Sequence, residues 1–167
     1  MIVRRAIAIS LGALLLAACA PVAAPAAEEA HVRITLSRSV CFGFCPAYSV
    51  SVTDDGAVTY EGHQHVHVRG VQRATISRAA VARLVERFDA IGFDRLQDRY
   101  RSDVTDLPTY TLVLERNGRR KVVEDYSGMA VGMPRAVREL QDEVDRVTGT
   151  ARWVLRDGQP VQERPEP

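Results

Sequence analysis

The sequence has no surplus of either charge. Its 22 Lys and Arg stand against 21 Asp and Glu, a formal net charge of +1 over 167 residues. Without a basic surplus it lacks the electrostatic footprint of a nucleic-acid binder. Cysteine is scarce, with three residues in all, which excludes a small domain stapled by many disulfides. The longest apolar run, near the N-terminus, falls short of the ~20 residues a membrane-spanning helix needs. There is no internal repeat, no Gly-x-Ser-x-Gly, no His-Glu-x-x-His and no phosphate loop, so the common hydrolase, zinc-protease and NTPase chemistries have no foothold. Ser127-Gly128 reads as a turn, not a nucleophile elbow. The expectation is a protein that is not an enzyme and needs no cofactor. A content of 46% hydrophobic and 26% charged residues excludes a wholly disordered chain. The length holds one ordinary domain beyond a leader.

What is present begins with a leader. Arg4 and Arg5 form a positive start, and Ala6 to Leu16 is an apolar stretch that ends in Leu16-Ala17-Ala18-Cys19. A positive start, a short apolar run and small residues before a cut describe a secretory signal peptide over 1–18. Cysteine after Leu-Ala-Ala resembles the bacterial lipobox, which implies that Cys19 carries a lipid thioether and becomes an acylated (palmitate-type) N-terminus. Lipid chains contribute ~0.8 kcal/mol per buried CH₂ and together hold a protein on a membrane. Position 20 is Ala and not Asp, which by resemblance to the enteric sorting rule implies the outer membrane, with the domain in the periplasm. Removing 1–18 leaves 20 basic against 21 acidic residues, so charge gives no reason to seek nucleic acid. Residues 19–30 combine the lipidated Cys with an Ala/Pro tether, which would extend to ~35 Å.

The folded domain is expected over 31–154, with a flexible tail at 155–167. Val32, Ile34 and Leu36 alternate as in a half-buried strand, and so do Tyr48, Val50 and Val52. Asp54-Asp55-Gly56 and Asn117-Gly118 mark hairpin turns. His65 to Arg69 reads as another extended segment, and residues 93–108 read as irregular. Ser77 is placed to cap a helix carrying Val81, Leu84, Val85, Phe88 and Ile91. A second helix is expected from Pro134, with Val137, Leu140, Val144 and Val147 on one face and Gly149 at its end. Hairpin-joined strands imply an α+β fold, an antiparallel sheet with two amphipathic helices packed on one face.

Three segments carry candidate chemistry. Cys41 and Cys45 flank Phe42-Gly43-Phe44. On a straight strand their Cα atoms would lie ~13 Å apart, too far for a disulfide, but Gly43 can fold the segment back and export favours the bond. The alternative is a copper-binding or redox role. Two thiolates suit Cu(I), and Cys-x-x-x-Cys-Pro resembles the copper loop of cytochrome-oxidase assembly chaperones, although the βαβ order of their thioredoxin fold is missing. His63, His65 and His67 alternate and would share a strand face, yet same-face side chains sit ~6.8 Å apart on one strand and would not easily converge on one ion. They are therefore expected to be solvated, with metal ligation by Cys41, Cys45, His63, His65 and His67 as the alternative. Asp103, Thr105, Asp106 and Thr109 lie in a loop before the second hairpin. They could suggest acid–base work or a calcium site, but such residues also bond to their own backbone and fix the start of the next strand.

Cys41-Phe42-Gly43-Phe44-Cys45-Pro46-Ala47-Tyr48, Asp55-Gly56, Tyr60-Glu61-Gly62 and Val104-Thr105-Asp106-Leu107-Pro108-Thr109 together resemble a bacterial family of unknown function, number 6438 of such domains, over roughly residues 31–154. The resemblance implies an exported or lipid-anchored protein and brings no mechanism with it. The three histidines are not part of that pattern. The reading is a lipid-anchored, non-catalytic binding or structural module of the envelope, held to the membrane by its lipid and facing an unknown envelope protein or ligand.

Overall fold

The computed structural model describes residues 32–162. The leader, Cys19, the tether and His31 lie outside the described residues, as do residues 163–167. Within them the chain forms a mixed α/β fold, a seven-stranded, mostly antiparallel sheet with helices. Its strands are β1 (Val32–Arg38), β2 (Ala47–Thr53), β3 (Ala57–Gln64), β4 (Gly70–Thr75), β5 (Arg99–Arg101), β6 (Tyr110–Arg116) and β7 (Arg119–Tyr126). The spatial order is β4-β3-β2-β1-β6-β7-β5, so β1 is central. No helix among the described residues is long and apolar enough to cross a membrane.

Strand alternation puts every second side chain on one face, and the register lines these up across strands. Val58, Val52, Ile34 and Leu114 form one row, and Tyr60, Val50, Leu36, Leu112 and Val123 the next. All are essentially buried, and each such side chain contributes ~1.5–3 kcal/mol by leaving water. A third row on the same face is polar: Tyr48, Arg38, Tyr110 and Asp125. The opposite face carries small hydroxyl residues, Thr35, Ser37, Ser49 and Ser51, on the two central strands.

Helix α1 (Arg78–Ala90) starts where the Ser77 side chain accepts from the Ala80 N–H, beside the β2–β3 turn, since the Ile76 N–H donates to the Gly56 carbonyl. Near its far end Asp89 meets Arg116 of β6. Helix α2 (Arg135–Thr148) has Arg138 on Asp125 of β7 and Asp145 on Arg38 of β1, and Gly149 caps it in the left-handed region. The two helices contact each other. Val81, Leu84 and Phe88 from α1 and Val137, Leu140 and Val144 from α2 join the strand residues in one core.

The structure departs from the sequence expectations in four places. The sheet is larger than a set of hairpins, because β5 adds parallel to β7 inside the stretch expected to be irregular. Arg99-Tyr100-Arg101 alternates exposed and buried side chains, but three residues are too few to mark a strand by period. The histidines do not share a strand face. β3 ends at Gln64, and His65 bends into the left-handed region at φ 53°. The chain then folds back so closely that a Cβ on Gly62 would lie 2.2 Å from the Val68 carbonyl oxygen. Pro134 sits at the N-cap of α2, one residue before the helix. Past a short α3 (Ala151–Val154) the chain continues into a small hairpin, β8 (Leu155–Arg156) and β9 (Gln159–Pro160), and buries Val161.

Candidate functional site

The two loops singled out in the sequence meet at one end of the sheet. The β1–β2 connection contains a Cys41–Cys45 disulfide with a Cα–Cα distance of 5.5 Å, as a closed turn requires. Gly43 lets the turn close, at φ 155° with its N–H on the Cys41 carbonyl. The segment before β6 runs alongside. The Phe42 N–H donates to the Asp106 carbonyl at 3.1 Å, the Ser39 N–H to the Thr109 carbonyl at 3.0 Å, and the Thr109 N–H to the Ser39 hydroxyl at 2.8 Å. Asp106 itself sits at φ 68°, and its carboxylate accepts from the Thr105 hydroxyl. The Leu107 N–H points to the Tyr126 hydroxyl at 3.4 Å.

This scaffold holds apolar side chains in water. Phe42 is 89% exposed, and Val40, Phe44, Val104 and Leu107 are between 38% and 46% exposed. Phe44 packs edge-on against the His65 ring, with centroids 5.4 Å apart. His65 is buried, and its Nδ1 has no hydrogen-bond partner. His63 and His67 are exposed. Among the described residues no group of three or more His, Cys, Asp or Glu side chains is arranged to hold a metal. Asp103 and Asp106 are both exposed.

Behind the loops the third sheet row forms an ionic network. Arg38 donates to the Asp145 carboxylate through Nη2 (2.6 Å) and Nε (3.0 Å). The Tyr48 and Thr150 hydroxyls each donate to the other Asp145 oxygen at 2.8 Å. Tyr110 lies between two guanidinium groups, Arg38 at 4.4 Å and Arg138 at 4.5 Å. Arg138 continues to Asp125, which is fully buried and also accepts from the Gln141 amide and the Gly128 N–H. Burial alone would disfavour the charged Arg38, but the charge and hydrogen bonds of Asp145 outweigh it and raise its pKa. Burial, reinforced by the charge of Asp145, pushes the Tyr48 phenol up as well. The same two causes push Tyr60 up to about 12. Arg38 therefore stays cationic and Tyr48 neutral near neutrality.

Sequence reading missed this network although its signal was present. Arg38 follows Ile34 and Leu36 at the same two-residue period, and Asp125 follows Val123. A charge continuing a core-facing period calls for a partner, and the α2 side chains Arg138, Gln141 and Asp145 recur at helical spacing on the side that supplies it.

A family model described as a domain of unknown function, DUF6438, matches residues 32–148, which takes in both motif loops and the ionic network. No curated protein matches the chain.

Proposed function

The chain belongs to the DUF6438 family, and because a domain of unknown function brings no activity with it, we propose its role from the geometry of the loop end. The protein is read as a lipid-anchored, non-catalytic binding module of the outer membrane, facing the periplasm through this end. The observation that carries the reading is Phe42, 89% exposed on a turn closed by a disulfide and tied to Asp106. Rigid exposed aromatics lose little conformational freedom on binding, so their burial converts efficiently into affinity. The ionic network behind them supplies the rigidity.

The chain direction supports an outward-facing role. The segment bearing Cys19 reaches the fold at Val32, whereas the loops follow Arg38 at the other end of β1. Seven residues of strand separate the two ends by ~20 Å. A protein held through its N-terminus thus carries the apolar loops away from the point of attachment. In this reading the two helices cover one face of the sheet together and leave the hydroxyl face open.

Two measurements test the reading. Intact mass of the full chain made in a bacterium is expected to reveal a lipid on Cys19 and a total two hydrogens below the reduced form. A chain without lipid, or with two alkylatable thiols at Cys41 and Cys45, would overturn the anchor or the closed turn, and free thiols would favour the copper alternative. Capture from crosslinked envelopes is then expected to recover one recurring partner with wild type and to lose it with Phe42→Ser. Equal capture by both would remove this end as the binding surface.

A further inference from the structure

At the opposite end of the sheet the β6–β7 hairpin reads Arg116-Asn117-Gly118-Arg119-Arg120-Lys121, four cations in six residues. The register sets Val32 directly opposite Arg116, so the hairpin lies beside the point where the N-terminal segment joins the fold. The cations are not equivalent. Arg116 is held by Asp89 and Asp94, and Lys121 by Asp98 and the Leu96 carbonyl. These pairs fix the base of the hairpin. Arg119 and Arg120 are exposed beyond it. Arg120 shares Glu115 with Arg33 of β1, at 3.3 and 3.7 Å, so two guanidinium groups face one carboxylate, and Arg119, next in the chain, is exposed as well. A hollow of about 360 Å³ opens between Arg116, Arg119, Arg120 and Asp94.

We infer that this hairpin rests on the anionic phosphate headgroups of the bilayer to which the chain is anchored, and so orients the domain with its disulfide end outward. The inference rests on the anchored reading of the protein. Arginine forks match phosphate oxygens, and basic residues near an anionic surface gain from it individually but modestly. Two or three such groups would not recruit the domain from solution. Once a lipid holds the chain a short tether away, the local lipid concentration is high, and the same contacts are enough to choose an orientation.

The test separates orientation from anchoring. The mature chain from Cys19 onward is coupled through Cys19, the cysteine outside the disulfide, to a maleimide lipid in phosphatidylethanolamine vesicles, with or without phosphatidylglycerol. Arginine labelling by a dicarbonyl reagent is then read residue by residue by peptide mass. With phosphatidylglycerol, labelling of Arg119 and Arg120 is expected to fall roughly threefold or more and to recover at high salt, while Arg101 at the other end labels equally on both vesicles. In Arg119→Gln/Arg120→Gln, any protection of Arg33 is expected to disappear. Equal labelling of Arg119 and Arg120 on the two vesicles, or protection of Arg101 instead, overturns the inference. Because the coupling is chemical, absence of lipid on Cys19 in cells would overturn the anchored reading without disturbing this measurement.

Discussion

Both ends of the sheet use Arg–Asp pairs, and the two pairs do different work. At the end where β1 begins, Arg116 meets Asp89 and Asp94, with the carboxylates about half exposed. At the end where β1 stops, Arg38 meets Asp145, with side chains 14% and 18% exposed. Water screens the first pair, so it shapes a hairpin at little gain or cost in stability. The second is largely desolvated, and losing one partner strands a charge. Burial rather than pair count makes one end a rigid platform for apolar loops and the other a solvated, basic edge.

The comparison can be broken by mutation. Asp145→Ala leaves Arg38 and the hydroxyls of Tyr48 and Thr150 without their acceptor, and is expected to cost about 3 kcal/mol in urea denaturation. Arg116→Ala is expected to cost about 0.5 kcal/mol. Similar losses would mean that the two ends do not differ as described. Glycines sharpen the same contrast. Gly62→Ala drives a Cβ to 2.2 Å from a backbone oxygen and should cost about 2–3 kcal/mol by thermal unfolding. Gly118→Ala meets nothing within 4 Å, and only its positive φ penalises it, by about 1 kcal/mol.

Opening the disulfide with Cys41→Ser/Cys45→Ser removes a five-residue ring, worth about 2 kcal/mol in the chain-entropy account. Proton linkage also belongs to the loop end. Tyr48 and Tyr60 have folded-state pKa values raised above the ordinary 10.0. The stabilising contribution of their neutral form is therefore complete below pH 10 and is lost as pH rises toward 12 and beyond. Melting temperature should fall across that window, and difference absorbance should find Tyr48 and Tyr60 ionising only as the protein unfolds. Early ionisation of both would contradict their burial near the Asp145 charge. Phe42→Ser should change stability least, within about 0.5 kcal/mol, since the side chain packs against little while folded.

Much of the sheet was legible because hairpin chemistry is local. Asp54-Asp55-Gly56 and Asn117-Gly118 stand at turns, and the return strand Arg119–Tyr126 is the one the turn implies. Ser77 and Gly149 delimit helices as caps should. The disulfide was legible from Gly43 and the expected export. What escaped depends on long-range partners. β5 exists because β7 offers an edge, and the histidine stripe fails because Gly62 admits the returning Val68 carbonyl. The convergence of Cys41–Cys45 with Asp106 needs β1 and β6 to be neighbours, which residue spacing alone does not reveal.

The most direct test compares the two ends in the living envelope. A photoreactive phenylalanine analogue is placed at position 42 in one chain and at position 117, the hairpin turn, in another, and both are irradiated in cells. The account expects a discrete protein adduct from position 42 and only lipid adducts from position 117. Lipid adducts from position 42 together with a protein adduct from position 117 would invert the orientation and contradict it.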